Sequence, residues 1–204
     1  MVDRQLRKRG IRDPRVLEAM LAIPREEFVP PEFRVSSYQD EPLQIGHGQT
    51  ISQPYMIALM AEVLELTGTE TVLDVGSGSG YHAAVLGALA ARVISIEIIP
   101  GLARLAEQNL RRTGRGDNIT VVCGDGSQGW PEAAPYAGIS VAAAAPDIPP
   151  PLLDELADPG RLVIPVGGRL DQELRVAFKS GGVIHERIAT FCRFVPLRGE
   201  AGWR

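Results

Sequence analysis

Two neighbouring stretches of the sequence carry side chains that could bind and orient a ligand. The first, GHGQTISQPYM over residues 46–56, has no charged residue but is rich in hydroxyl, amide and imidazole groups. The second, VLDVGSGSGYH over residues 72–82, contains the most glycine-dense turn of the chain. A glycine-rich turn lets a ligand approach the backbone, and the groups just ahead of it can donate and accept hydrogen bonds.

The glycine-rich turn follows a strand pattern and precedes a helix pattern, a context that favours ligand binding. Gly76, Gly78 and Gly80 allow the backbone to bend sharply without Cβ collisions. Open parallel sheets hold ligands in crevices beyond the carboxyl ends of their strands. Because such turns occur in many proteins, the turn alone is only weak support for a nucleotide-like ligand.

Two acidic residues after the following strand patterns strengthen this hypothesis. Glu97 ends the run RVISIE, where a carboxylate can accept both hydroxyls of a ribose. Asp125 ends the run NITVVCGD, where it can accept from an adenine amino group, or its neighbour Gly126 can lie against the ring. Either acid alone could simply cap a helix, but the two together favour a nucleotide site.

The spacing of the glycines separates the candidate nucleotides. A dinucleotide fingerprint needs G-x-G-x-x-G, whereas this turn is G-x-G-x-G with Tyr81 in the sixth position. The Gly-Lys-Ser/Thr of a Walker-type phosphate loop is absent. Asp74 would repel a pyrophosphate but suits a cationic sulfonium or ammonium group, so S-adenosylmethionine is favoured over NAD. The predicted cofactor-binding residues are Asp74, Gly76, Ser77, Gly78, Gly80, Glu97, Asp125 and Gly126.

The elements that must position these groups follow from periodicity. Pro14 and Pro54 begin helix patterns, with a proline-interrupted, loop-rich region between them. From Val72, β-branched runs alternate with helical segments, and the segment after Gly168 has the pattern of antiparallel strands. We therefore predict an α/β fold: a doubly wound, mainly parallel, Rossmann-like sheet with N-terminal helices and an antiparallel C-terminal finish.

The length of 204 residues predicts a single domain, 1–204, with three parts. Residues 1–65 form a helical elaboration that includes the uncharged segment, residues 66–168 form the cofactor-binding α/β core, and residues 169–204 form the antiparallel strands. A net charge of −4 argues against nucleic-acid binding, and no apolar run is long enough to span a membrane. Two cysteines without metal-ligand spacing predict neither a disulfide framework nor a metal site, which favours a cytoplasmic protein.

A family resemblance covers nearly the whole chain. VLDVGSGSGYHAAVL, ISIE, GDGSQGW, AAAAP, RLVIPVG and RFVPL, in this order, resemble the protein-L-isoaspartate O-methyltransferases. IGHGQTISQPYM resembles the most distinctive segment of that family, and MVDRQLRKRGIRDPRVLEAM also matches. The resemblance implies a monomeric, cytoplasmic repair enzyme. Its S-adenosylmethionine would methylate the free α-carboxylate of isoaspartate in damaged polypeptides, and the ester would then close to a succinimide.

The uncharged segment suits this chemistry, because a carboxylate with a pKa of about 4 is already ionised at neutral pH and needs orientation rather than a base. The resemblance implies that Ser52 is the catalytic, substrate-orienting hydroxyl; a structural alternative is that Ser52 caps the helix begun at Pro54. His82 lies on the helix after the glycines. Contact of His82 with the cofactor or substrate and the absence of such contact are equally weighted alternatives. The implied substrate-binding residues are Gln49, Thr50, Ile51 and Val195.

Three alternatives remain. A methyltransferase of the same ancestry could esterify an aspartate of a dedicated peptide, although the sequence has no leader-binding extension. A nicotinamide-dependent oxidoreductase is disfavoured by Tyr81 and by the lack of a proton-relay pair. A catalytically silent cofactor-binding module would show no methyl transfer.

Overall fold

A computed structural model describes residues 1–168 and 170–203. Its helices are α1 (Pro14–Ala22), α2 (Pro54–Val63), α3 (Tyr81–Gly87), α4 (Pro100–Arg112) and α5 (Pro150–Asp154). Its strands are β1 (Leu43–Gly46), β2 (Gln49–Ile51), β3 (Thr71–Val75), β4 (Arg92–Glu97), β5 (Ile119–Cys123), β6 (Tyr136–Val141), β7 (Leu156–Gly167), β8 (Gln172–Ser180) and β9 (Val183–Cys192). Short helical segments of three to six residues cover Val2–Leu6, Arg7–Arg9, Arg25–Phe28, Pro31–Ser36, Gly126–Gln128 and Pro131–Ala133.

Seven strands form one sheet in the order β5-β4-β3-β6-β7-β8-β9. The pairs from β5 to β7 are parallel, whereas β8 and β9 run antiparallel to their neighbours. The predicted doubly wound, mainly parallel sheet with an antiparallel finish is confirmed. Strand order reverses at β3, which pairs with β4 on one side and β6 on the other, so the crevice expected for a ligand lies at the carboxyl end of β3.

Apolar layers cover both faces of the sheet, because successive side chains of a strand point to opposite faces. On β3, Val72 packs with the layer that contains α1, α2 and α3, whereas Leu73 and Val75 pack with the layer on the other face. Proline begins α1, as predicted, and Asp13 caps it by accepting from the Arg15 and Val16 amides. The division into three parts of one domain stays a prediction.

A β-hairpin in the uncharged segment is the main difference from the predicted elements. The segment was expected to belong to a loop-rich region, but β1 pairs with β2 through Leu43 opposite Ile51 and Gln44 opposite Thr50. The turn needs three left-handed residues in a row, including His47 with φ 53°. Strands this short carry almost no periodic signal, which explains the omission. The hairpin holds Thr50 and Ile51 against the sheet's carboxyl edge.

Candidate active site

One cavity lies at the carboxyl edge of the sheet, where the predicted crevice was expected. The uncharged segment, the glycine turn after β3 and the end of β4 contribute to its wall, and the chain returns to it after β6 and after β9. Of the residues predicted to bind cofactor or substrate, ten line the cavity: Gln49, Thr50, Ile51, Ser52, Gly76, Ser77, Gly78, Glu97, Gly126 and Val195. Asp74, Gly80 and Asp125 are absent from the wall.

The glycine turn has the sharply bent backbone that the sequence predicts. Gly76, Gly78 and Gly80 all have positive φ, at 97°, 53° and 90°. Gly76 donates its amide to the Ile96 carbonyl at 2.8 Å, which ties the turn to β4. Gly80 has another function, since a Cβ there would come within 3.2 Å of the Ala106 backbone on α4. Gly80 therefore lets two helices pack closely, while Gly76 and Gly78 face the cavity.

Glu97 places a carboxylate at the cavity, and two backbone amides hold this carboxylate in position. The Gly78 amide donates to its Oε2 at 2.9 Å, and the Ile99 amide donates to its Oε1 at 3.0 Å. Because each carboxylate oxygen can accept more than one hydrogen bond, the group remains able to accept from a diol. The side chain is only 6 % exposed, so its acceptors are oriented by the protein rather than by bulk water. The predicted ribose contact is compatible with this placement and stays a prediction.

Asp74 lies behind the cavity wall rather than in it. Its carboxylate is fully buried, accepts from the Ser95 hydroxyl at 2.7 Å and lies 3.4 Å from Nδ1 of His82. Burial, with a smaller contribution from the charge of Glu97, raises the pKa of Asp74 to about 7. Burial also lowers the pKa of His82, which does line the cavity, to about 4. Asp74 is therefore buried outside the cavity wall, and its predicted cofactor contact remains without structural support.

Asp125 is engaged by the C-terminal segment. Its carboxylate accepts from the Ser127 amide at 2.9 Å, from the Ser127 hydroxyl at 2.7 Å and from the Glu200 amide at 2.8 Å. The Ser127 hydroxyl in turn accepts from the Ala201 amide at 3.0 Å. Of the two sequence-based alternatives for an adenine, contact with Gly126 agrees better with the geometry, because Gly126 lines the cavity and Asp125 holds the chain terminus.

The uncharged segment lines the same cavity as the glycine turn. The residue that precedes α2 is Gln53, and no side chain caps this helix. The alternative that Ser52 serves as the helix cap is therefore wrong. The Ser52 backbone is held by Arg25, whose Nη2 donates to the Ser52 carbonyl at 2.7 Å, while within the described part of the chain the Ser52 hydroxyl makes no hydrogen bond. Ser52 thus presents an available donor to the cavity.

Several wall residues were not proposed as ligand contacts from the sequence. Tyr81 was used only to exclude a dinucleotide, yet it lines the cavity. Ala142 and Ala143 follow β6, the strand beside β3, and the position of AAAAP after a strand pattern was the available signal. Arg198 reaches the cavity from the C-terminal segment, and no local pattern indicated this.

Comparison with known proteins agrees with this site. Residues 1–202 match the model of the protein-L-isoaspartate(D-aspartate) O-methyltransferase family. A protein-L-isoaspartate O-methyltransferase 2 of Marinobacter nauticus is 56 % identical over 205 residues, which cover all of this chain and 93 % of the relative. A protein-L-isoaspartate O-methyltransferase of Hyperthermus butylicus is 51 % identical over 215 residues, covering all of this chain and 89 % of the relative.

Solved structures show the same architecture. A protein-L-isoaspartate O-methyltransferase superposes with a TM-score of 0.85 at 31 % identity, covering 96 % of this chain and 64 % of that chain. A protein-L-isoaspartate O-methyltransferase described as putative, from Plasmodium falciparum and in complex with S-adenosyl-L-homocysteine, superposes with a TM-score of 0.80 at 29 % identity, covering 94 % of each chain. On the family match and these relatives, the chain belongs to the protein-L-isoaspartate(D-aspartate) O-methyltransferase family.

Proposed function

We propose that this chain transfers a methyl group from S-adenosylmethionine to the free α-carboxylate of L-isoaspartyl residues in damaged polypeptides, and that Ser52 orients this carboxylate. The observation that carries the role of Ser52 is its place: a serine whose hydroxyl makes no hydrogen bond within the described residues lines the same cavity as the glycine turn and Glu97. The cofactor and the acceptor would then meet between two walls of different chemistry. One wall is backbone and carboxylate, and the other is neutral hydroxyl and amide.

The cofactor half of the cavity fits S-adenosylmethionine, which supplies a methyl group activated by a sulfonium. Gly76, Ser77 and Gly78 offer backbone that a ligand can approach closely, and Glu97 offers two oriented acceptors for a ribose diol. Gly126 lines the cavity and packs closely against Val75 and Ile96, since a Cβ there would come within 2.5 Å of Val75 Cγ1 and 2.8 Å of Ile96 Cγ2. Its backbone is proposed to lie against the flat adenine ring.

The acceptor half has neutral groups, and the reaction requires no more. The nucleophile is a carboxylate that is ionised at neutral pH, so the enzyme has no proton to remove. His82 is buried with a lowered pKa, and the proposed transfer does not use it as a base. Orientation of the reacting groups can supply as much as about 7–11 kcal/mol of the barrier reduction. A neutral donor such as the Ser52 hydroxyl orients the anion without over-stabilising the ground state.

Thr50, Gln49 and Ile51 are proposed to contact the polypeptide beside Ser52. All three lie in the cavity wall, together with Val195 from the segment that follows β9. The Val195 carbonyl accepts from the Ala144 amide at 2.8 Å, which fixes this segment against the chain after β6. An extended polypeptide would lie between the β1–β2 hairpin and this segment.

The test uses labelled S-adenosylmethionine and paired peptides that differ only in aspartate or isoaspartate. We expect label in the isoaspartyl peptide alone. Ser52→Ala should lower kcat/KM by about 10- to 100-fold, the loss of one hydrogen bond to a charged group, and should leave the affinity for S-adenosylhomocysteine unchanged. Ser36→Ala is the matched control, because that hydroxyl bonds the Phe33 carbonyl outside the cavity. A large loss of cofactor affinity in Ser52→Ala would assign the serine to the other half of the site.

The same assay separates the alternatives. Equal labelling of both peptides contradicts isoaspartate repair, and labelling of neither supports a silent module or a dedicated peptide substrate. A nicotinamide-dependent oxidoreductase would instead bind NAD in place of S-adenosylhomocysteine. We further infer a monomer that acts in the cytoplasm, as the family resemblance implies, and that binds neither nucleic acid nor membrane; the net charge of −4 disfavours nucleic-acid binding. Within the described residues, no helix is long and apolar enough to cross a bilayer.

A further inference from the structure

A buried arginine lies directly behind the proposed substrate-orienting serine. Arg25 begins the turn Arg25–Phe28 after α1, and its side chain is 0 % exposed. Its Nε donates to the Ser37 carbonyl at 2.7 Å and its Nη2 to the Ser52 carbonyl at 2.7 Å. The guanidinium carbon lies 4.9 Å from the centre of the Tyr81 ring, whose residue lines the cavity. One side chain thus connects the uncharged segment to the helix after the glycine turn.

The charge of Arg25 is not neutralised locally. Burial lowers the pKa of Arg25 to about 10, so the group remains protonated at neutral pH. The acid that acts on it electrostatically, Asp40, is already bonded to Arg9 and to the Tyr55 amide. Within the described residues, Nη1 of Arg25 has no hydrogen-bond partner. A buried cation with one unsatisfied nitrogen is costly unless an anion binds nearby in the working state.

We propose that Arg25 is a positioning residue for the substrate carboxylate, acting through Ser52. The guanidinium of Arg25 fixes the position of the Ser52 carbonyl. The direction of the Ser52 hydroxyl then depends only on rotation about the side-chain torsion of Ser52. Its positive charge makes the Ser52 end of the cavity favourable for an anion, while the groups that face the substrate stay neutral. This inference rests on the proposed role of Ser52.

The test compares Arg25→Met and Arg25→Lys with the wild type. Arg25→Met should lower kcat/KM for an isoaspartyl peptide by about 10- to 100-fold, mainly through KM. Affinity for S-adenosylhomocysteine should stay within about twofold. Arg15→Met is the matched control, because Arg15 also donates to two backbone carbonyls, those of Leu66 and Leu89, but lies outside the cavity wall. It should lower stability without changing KM.

A second readout isolates the charge. The isoaspartyl peptide and its α-carboxamide counterpart are compared as competitive ligands, and the ratio of their affinities is measured. We expect the ratio to fall towards one in Arg25→Met and to be kept in Arg25→Lys, whose KM still rises because an ammonium cannot bridge both carbonyls as the fork does. A folded Arg25→Met variant with the wild-type ratio and KM would overturn the proposal.

Arg25→Lys keeps the test decisive if Arg25→Met does not fold. Wild-type KM in Arg25→Lys would contradict the bridging of two carbonyls, and loss of the affinity ratio would contradict the role of charge. Ser52→Ala is measured beside these variants. If Ser52→Ala lowers kcat/KM while the Arg25 variants do not, the Arg25 inference alone fails. If Ser52→Ala has the wild-type kcat/KM, the proposed role of Ser52 fails first.

Discussion

Glu97→Gln tests whether the carboxylate at the end of β4 binds the cofactor or merely braces the glycine turn. The two carboxylate oxygens accept from different amides, Gly78 at Oε2 and Ile99 at Oε1. A glutamine side chain has only one acceptor oxygen, so its NH2 group must face either one of those amides or the ligand. The variant therefore either loses at least one acceptor for the ligand at the cavity or places the glutamine NH2 group against a backbone amide that is also a donor.

The magnitude follows from the number of bonds affected. A hydrogen bond to a charged group contributes about 1.5–3 kcal/mol, and about 2 kcal/mol corresponds to a change of roughly 30-fold in an equilibrium constant. We expect the dissociation constant of S-adenosylhomocysteine, measured by calorimetry, to rise by about that factor in Glu97→Gln. The free energy of unfolding of the ligand-free protein should fall by about 1–3 kcal/mol, because one backbone amide loses its partner.

Glu62→Gln is the matched control for the loss of a carboxylate. A single oxygen of Glu62 accepts from both the Arg12 and Asp13 amides, at 2.6 and 2.7 Å, so an amide oxygen can replace it. This variant should keep the cofactor affinity of the wild type. The reasoning is refuted if Glu97→Gln loses stability yet binds S-adenosylhomocysteine within about twofold of the wild type, since Glu97 would then be a structural brace alone.

Two further predictions concern acids outside the cavity wall. Asp125→Ala should accelerate amide hydrogen exchange at Glu200, because the Glu200 amide donates to Asp125. It should also accelerate exchange at Ala201, whose amide donates to the Ser127 hydroxyl that Asp125 holds. Unchanged exchange at both amides would contradict the anchoring of the C-terminal segment by Asp125. The pKa of Asp74 is raised from 3.8 to about 7, so the contribution of Asp74 to the free energy of unfolding falls as the pH rises from 3.8 to 7. The pKa of His82 is lowered from 6.5 to about 4, so the contribution of His82 increases as the pH rises from 4 to 6.5. In Asp74→Asn only the effect of His82 remains, so the free energy of unfolding by urea should rise more steeply between pH 4 and 6.5 than in the wild type. Parallel pH profiles of the two proteins would contradict the opposite contributions of Asp74 and His82.

Local patterns were sufficient for the central elements of the fold. The runs TVLDV and RVISIE match β3 and β4 residue for residue, and Pro14 and Pro54 begin α1 and α2. These signals are local, because strand alternation, proline at a helix start and glycine at a sharp turn each depend on a few adjacent residues. The hairpin of β1 and β2 was not predicted, since strands of four and three residues are stabilised by their pairing and by their contact with the sheet.

The sequence by itself determined that a glycine turn after a strand, acids after neighbouring strands and an uncharged hydroxyl segment belong to one site. Only the tertiary structure decided which of these groups face the cavity. Glu97 and Asp74 are both strand-end carboxylates in the sequence, yet one lines the cavity and the other lies against His82 behind it. Asp125 is engaged by an amide 75 residues further along the chain. Side-chain direction and partner choice depend on which distant segments pack together, and a local pattern contains no information about that choice.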